Sequence, residues 1–297
     1  MNGILLESTQ SVLLLALISA LSRAGLNVID RYQIGMRKLS IRSINFWNNA
    51  IPTIMIVLTA VMLGLHGDLA AVFLGWKTAA FAAVVQLVAY TFSFAFRYLD
   101  VNQVTVAAKL SDLFIPGAIF ATTGHWDWTT AGFACATTLV CLPILRGRNL
   151  DQGKVLKAAT VLMCTALVFQ AGISPLLAHQ IDGDWRYGLL FAAAVIGWRT
   201  IWSIMPLAFR SDAGQAQRYG LLLNRLFYLR CCLSVITQLT FVLAVSSAAA
   251  AVAWPLLNAA GLFAMLMAAF VLRERQVRSQ KLIVLTITAL AALRFIL

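Results

Sequence analysis

The chain has 297 residues, of which 61% are hydrophobic and only 11% charged, and its formal net charge is +12. A soluble globular protein is closer to half apolar, with about a quarter of its residues charged. A compact chain of this length could not hide so much apolar surface from water. Together with a mean hydropathy of +0.85, this composition excludes a soluble globular protein and favours lipid as the solvent.

Continuous apolar runs of about 20 residues predict transmembrane helices. The sequence contains ten such runs, at 11–29, 44–65, 77–98, 101–123, 128–145, 155–178, 186–208, 219–244, 247–272 and 280–297. Because the connections between them are too short to fold alone, we expect one membrane domain over 1–297, with nine or eleven helices as alternatives. Residues 1–10 contain no Lys or Arg, so a cleaved signal peptide is not expected and the first helix is retained.

The basic residues concentrate in the connections near 30–43, 146–157, 210–218 and 273–281. With ten helices all four connections lie on one face, and the positive-inside rule makes that face cytoplasmic. We therefore expect a multi-pass protein of the bacterial inner membrane with both termini outside. The positive charge is explained in this way without a nucleic-acid partner.

The two halves of the chain show a weak internal repeat. The sequence SRAGLN at 22–27 is echoed by FQAGIS at 169–174, and 98–123 is echoed by 242–267, an offset of about 144–147 residues. Five helices in each half is an odd number, so the second half would insert upside down relative to the first. This predicts two inverted five-helix repeats, 1–148 and 149–297, with a binding site between them at the middle of the membrane.

Two stretches resemble a known family. RYLDVNQVTVAAKLSDLFIPGAIF at 97–120 and VLAVSSAAAAVAWPLLNAAGLFAMLMAAFVLRER at 242–275 are similar to the fourth and ninth helices of EamA-type members of the drug/metabolite transporter superfamily. Pro255 and Glu274 match the second-half pattern, whereas Asp112, Pro116 and the Gly124-His125 pair depart from the first-half pattern. The resemblance implies a secondary transporter, more often an exporter, with cytoplasmic termini, which is opposite to the orientation that the charges predict.

Polar residues inside the apolar runs are the candidate site, because a charged group at mid-membrane usually faces a cavity or a partner. The candidate substrate-binding residues are Arg23, Gln86, Tyr90, Lys109, Asp112, Gln170, Arg199, Arg230, Trp254 and Asn258. Lys109 and Asp112 share a helix face and could simply neutralise each other. Arg199 lies between Trp198 and Trp202 and could be held by stacking alone. Arg225, near the end of its helix, is expected to extend to the interface.

The buried guanidinium groups outnumber the buried acids, which favours an anionic or zwitterionic small-molecule substrate. Arg23, Arg230 and Lys109 would bind its acidic groups, and Asp112 would meet an ammonium group or a coupling proton. The amides of Gln86, Gln170 and Asn258 would add hydrogen bonds, and Trp254 and Tyr90 would form flat walls.

The sequence therefore predicts a secondary transporter, not an enzyme, that exports an amino-acid derivative or a carboxylate-rich compound such as a metallophore. An importer or exchanger of an organic anion or nucleotide-like metabolite is the alternative. A membrane-embedded transferase and a sensor or assembly subunit are less favoured, because acidic residues and His are few and scattered. No Walker A motif or metal-ligand spacing is present, so neither ATP nor any metal or cofactor is expected.

Overall fold

The computed structural model describes residues 9–124, 126, 128–141, 150–181, 184–208, 224–246, 253–254, 256–257, 259–273, 282 and 286. Within this part of the chain every regular element is a helix, and eleven of them are α-helices of nine residues or more. They are α1 (Thr9–Asp30), α2 (Ile41–Met62), α3 (His66–Leu74), α4 (Trp76–Tyr98), α5 (Val101–Lys109), α6 (Ile115–Thr123), α7 (Trp128–Cys141), α8 (Leu150–Ala178), α9 (Trp185–Ala208), α10 (Arg225–Ser246) and α11 (Ala260–Val271).

Six of the described helices are long and apolar enough to cross a membrane, and α5 with α6 would make a seventh as one bent span. An all-α membrane protein is therefore confirmed. The predicted run at 280–297 falls outside the described residues except for two positions, and much of 247–258 does so as well. Ten helices thus remain a prediction, as do the two inverted repeats.

The first helix is longer than the sequence predicted. It continues from α1 through a π-helix at Arg31–Met36, where a connection was expected. The segment is bound to the end of α4, because Arg31 donates to the carbonyl of Phe96 at 2.9 Å and Arg97 donates to that of Leu39 at 3.1 Å. Gly35 permits this approach, since a Cβ there would lie 2.6 Å from the Phe96 carbonyl oxygen. A second expected connection, near 66–76, contains the short helix α3.

The bent span between α5 and α6 follows from Pro116. Proline cannot donate a backbone hydrogen bond and its ring clashes with the carbonyl four residues earlier. The chain accordingly passes through a 3₁₀ turn at Leu110–Leu113 before α6 begins, and the two segments meet at 44°. The hydroxyl of Thr138 donates to the carbonyl of Lys109 at 3.2 Å, which satisfies one of the backbone groups released by the break.

Small residues let the helices approach closely. Along α1, Ala16, Ala20 and Ala24 recur at every fourth position and are fully buried. Such a stripe brings backbones together where lipid offers no hydrophobic driving force. Helix α1 packs on α10 and α11, α2 packs on α9, and α4 packs on α8 and α9. The result is a bundle whose centre is reached by polar side chains from six helices.

The contact between α5 and α11 gives a test of this packing. Gly261 lies against Thr105, whose hydroxyl donates to the Gly261 carbonyl at 3.0 Å, and a Cβ on Gly261 would lie 2.7 Å from the Thr105 methyl. We expect Gly261→Ala to lower the free energy of unfolding by about 1–3 kcal/mol, the usual cost of overpacking. Gly117→Ala is the control, since its Cβ would meet no atom within 4 Å. Thermal unfolding in detergent measures both, and equal midpoints would contradict the prediction.

Candidate functional site: a cationic cavity

A cavity of about 90 Å³ lies among α1, α2, α4, α8, α9 and α10, with room for about three waters at roughly 30 Å³ each. Four of the predicted residues line it: Arg23, Gln170, Arg199 and Arg230. The remaining polar and charged lining residues are Asn27, Asp30, Asn45, Ser93, Ser234, Thr237 and Gln238. The sequence analysis thus identified all three cations of the cavity but not its acid.

Arg230 on α10 is paired with that acid, Asp30 at the end of α1. Its Nε donates to Asp30 Oδ1 at 2.6 Å and its Nη2 donates to Oδ2 at 2.9 Å, while Nη1 donates to the hydroxyl of Ser234 at 3.0 Å. Both side chains are largely buried, at 10% and 15% exposed. This two-point geometry is the strongest form of an arginine–carboxylate pair, and it joins residues 200 positions apart. Asp30 was missed because the first helix was expected to end beside it.

Arg199 is held by amides instead of a carboxylate. Its Nε donates to Gln86 Oε1 at 3.0 Å and its Nη1 donates to Gln238 Oε1 at 3.3 Å. Stacking between two tryptophans is not what holds it: Trp198 and Trp202 stack on each other, with ring centroids 6.0 Å apart. No carboxylate of the described residues lies within ion-pair distance of Arg199. Its charge is therefore oriented but not neutralised.

Gln86 belongs to a hydrogen-bond network that fixes Arg199. Its Oε1 also accepts from Asn49 Nδ2 at 3.2 Å, and its Nε2 donates to the Ser203 hydroxyl at 3.1 Å. Asn49 Nδ2 donates to the same hydroxyl at 3.1 Å. All three side chains are buried, so their bonds are shielded from water and rigid. Gln86 thus lies behind the cavity wall and orients the guanidinium that faces the cavity.

Arg23 lies between two cavities. Its guanidinium carbon is 5.5 Å from the centroid of the Phe92 ring, a cation–π distance. With Asn27 and Phe92 it also lines a smaller cavity of about 20 Å³, whose other walls include Val104, Leu167 and Leu257. Among the described side chains, none with a carboxylate forms an ion pair with it. Arg23 and Arg199, two guanidinium groups of the large cavity, therefore form no ion pair with a described carboxylate.

Three buried polar atoms of the lining residues lack partners in the described part of the chain: Gln170 Oε1, Thr237 Oγ1 and Gln238 Nε2. Leaving such atoms without a hydrogen bond costs about 1–3 kcal/mol each. These donors and acceptors can form hydrogen bonds with water or with a ligand in the cavity.

The remaining predicted residues do not line the cavity. Lys109 and Asp112 pair with each other at 2.7 Å in the bend before Pro116, at 4% and 8% exposure. This is the mutual neutralisation left open above. The Tyr90 hydroxyl is buried behind the wall. Trp254 is buried with its ring edge on Phe241, at 5.9 Å between centroids, and Asn258 lies outside the described residues.

Within the described ranges, no group of three His, Cys, Asp or Glu side chains is placed to hold a metal ion. The described lining of the cavity offers guanidinium, amide and hydroxyl groups, and its one carboxylate is paired with Arg230. Such groups bind and orient an anion, and in a site shielded from water they stabilise negative charge as it develops.

No family model matches the chain. A curated relative, the UbiA prenyltransferase domain-containing protein 1 homolog of Drosophila melanogaster, is 22% identical over 129 residues, which is 43% of this chain and 35% of the relative. The match thus spans about a third of that protein. A solved crystal structure, described only as that of a protein, is 10% identical and superposes with a TM-score of 0.68 over 96% of this chain and 98% of its own. At that identity the likeness shows the fold alone.

The relative corrects the predicted function. It carries the name of a membrane-embedded transferase family, so the expectation of a secondary transporter that is not an enzyme is wrong on this finding. The less favoured transferase is the alternative that it supports. The resemblance to EamA-type proteins is addressed by neither comparison and stays a prediction.

Proposed function

We propose that the chain is a membrane-embedded transferase that binds the anionic group of a membrane-soluble substrate in the cationic cavity. The observation that carries the proposal is the pair of guanidinium groups, Arg23 and Arg199, that line a cavity inside the helix bundle and form no ion pair with any carboxylate in the described ranges. The prenyltransferase relative supports a prenyl group as the one transferred.

The chemistry requires a cationic site. In prenyl transfer from a phosphate-type donor, the bond between the prenyl carbon and the donor oxygen breaks, and the leaving group departs with the electron pair. The acceptor forms the new bond to carbon and releases a proton. Negative charge grows on the leaving oxygen, where fixed guanidinium groups stabilise it. Arg199, oriented by Gln86, and Arg23, placed against Phe92, would serve this purpose.

The size of the cavity agrees with an anionic head group. About 90 Å³ is on the scale of a single phosphate-sized group, at roughly 30 Å³ per water displaced, and is too small for a long apolar chain. The chain would therefore extend between helices towards lipid. Exposed apolar side chains cover the outer faces of the bundle, for example Leu162 and Phe169 on α8, and such faces are compatible with a lipid-like tail.

We also propose the finer architecture of ten helices in two inverted halves within a bacterial inner membrane. The packing supports an exchange of halves that equates α1 with α8, α2 with α9, α4 with α10, and the bent α5–α6 span with α11. Under this exchange the contact of α1 with α10 corresponds to that of α8 with α4, and the contact of α1 with α11 to that of α8 with α6. The contact of α4 with α9 likewise corresponds to that of α10 with α2.

The test is a transfer assay on the purified chain in liposomes made from a total bacterial lipid extract. Radiolabelled farnesyl monophosphate and farnesyl diphosphate are added in parallel, each with and without MgCl₂, and the products are separated by chromatography. We expect a labelled lipid product that protein-free liposomes do not form. Movement of label into the liposomes without any chemical change would overturn the proposal.

A further inference from the structure

The cavity contains an internal counter-charge that the proposed transferase site does not use. Among the described residues, three guanidinium groups and one carboxylate line it, so the formal charge of this lining is +2. Both oxygens of Asp30 accept hydrogen bonds from Arg230, at 2.6 Å and 2.9 Å. Arg230 is therefore already paired with a carboxylate of the protein itself.

We propose that Asp30 determines the charge of the bound group, and that the cavity selects a dianion of the sulfate or phosphate-monoester type. This inference rests on the proposed function for placing the substrate's acidic group in this cavity. The residues that meet the anion are Arg23 and Arg199, together with Gln238 Nε2, which has no hydrogen-bond partner among the described residues. Asp30 acts on the anion through charge, as a specificity-determining residue, and touches Arg230.

The physical reason is charge balance between the bound anion and the partly buried guanidinium groups of Arg23 and Arg199. A monoanion would leave one positive charge of the cavity uncompensated, and burying an uncompensated charge is costly. A group with more than two negative charges would meet the Asp30 carboxylate as a repelling neighbour. A dianion balances Arg23 and Arg199 and leaves the Asp30–Arg230 pair intact.

Buried polar atoms without hydrogen-bond partners also favour a ligand in the cavity, independently of the charges. Gln170 and Gln238 are 2% and 3% exposed, yet Gln170 Oε1 and Gln238 Nε2 have no partner among the described residues. A tetrahedral dianion offers acceptors to Gln238 Nε2 and to both guanidinium groups.

The experiment measures sulfate and nitrate binding by calorimetry on the purified full chain in detergent, because these ions stay at two and one negative charges across the working pH range. We expect the wild-type protein to bind sulfate at least about tenfold more tightly than nitrate. Asp30→Asn should raise the sulfate affinity by roughly tenfold, the scale of one partly screened unit charge. Asp68→Asn, at the exposed start of α3, is the matched control and should change nothing.

A double variant separates charge from folding. Asp30→Asn with Arg230→Gln removes one charge of each sign, so the cavity keeps its +2 and should retain the wild-type preference for sulfate. If Asp30→Asn alone does not fold, the double variant and the ratio of sulfate to nitrate affinity in the wild-type protein still test the inference. Equal binding of nitrate and sulfate by the wild type would overturn the inference, as would an unchanged sulfate affinity in Asp30→Asn.

The two proposals fail separately. A labelled prenyl product together with an Asp30→Asn variant of unchanged sulfate affinity would refute only the charge-selection role. The expected shifts in sulfate affinity without any transfer product would refute only the transferase.

Discussion

Replacing Arg199 by Gln is expected to reduce prenyl transfer by about 10²–10³-fold, the usual effect of losing one preorganised group that stabilises developing negative charge. Arg199 is held in place by Gln86 and Gln238 before any ligand arrives, so its orientation requires no further ordering. Glutamine removes the charge while leaving a polar group in the network. The measurement is the rate of labelled product formation in the liposome assay.

Stability distinguishes this role from a structural one. Arg199 is a partly buried charge without a carboxylate partner in the described part of the chain, and its desolvation cost is not offset by an ion pair. We therefore expect Arg199→Gln to unfold at the wild-type temperature or above it. A parallel loss of activity and stability would instead indicate a packing role.

Two further variants are compared with Arg199→Gln in the same assay. Arg199→Lys keeps the charge but lacks the planar fork that meets two amide oxygens, so we expect an intermediate loss of roughly tenfold. Arg186→Gln is the control, because Arg186 lies on the same helix but is exposed and stacks over Trp185 at 5.5 Å. Arg199→Gln with more than a third of wild-type activity would contradict the assignment.

The helical spans and the cations of the site could be predicted because both follow from the cost of polar groups in lipid. Charged residues inside apolar runs must face inwards, and Arg23, Arg199 and Arg230 indeed reach one cavity. Where two charged residues can pair locally, the same rule wrongly predicts that they face the cavity. Lys109 and Asp112 are polar residues inside an apolar run, but the bend before Pro116 lets them satisfy each other.

Asp30 could not be found in this way because its position depends on where a helix ends. The sequence around it looks like the start of a basic connection, with Arg31 next to it. The continuation into the π-helix at Arg31–Met36 depends on tertiary contacts, namely the hydrogen bonds from Arg31 and Arg97 to distant carbonyls. Local pattern contains no information on such contacts. No Pro or Gly lies between Asp30 and Gly35. This absence was a sign in the sequence that the helix could extend.

The predicted class of function was wrong, and hydropathy and charge explain why. A transporter and a membrane transferase both need buried polar groups around an anion, so hydropathy and charge do not separate them. An enzyme was not expected because the acidic residues are scattered and His is scarce. A reaction that mainly needs stabilisation of a leaving anion does not require such residues, because guanidinium groups can provide that stabilisation.

Breaking the Asp30–Arg230 pair should give the largest loss of stability. We expect Arg230→Gln to lower the free energy of unfolding by about 3–5 kcal/mol, because it leaves the carboxylate of Asp30 buried without its two-point partner. Asp30→Asn should cost less, since Arg230 keeps its bond to Ser234 at 3.0 Å and an amide oxygen can still accept. Thermal unfolding or titration with denaturing detergent measures each variant.

The double variant completes a thermodynamic cycle. Asp30→Asn with Arg230→Gln removes both charges, so its loss should be clearly smaller than the sum of the two single losses, with a coupling of about 1–3 kcal/mol. Arg225→Gln is the control, because Arg225 begins the same helix and is exposed. Additive losses would show that the two side chains do not stabilise each other. Since Asp30 and Arg230 belong to opposite halves of the chain, a measured coupling would also locate one of the bonds that join those halves at the cavity.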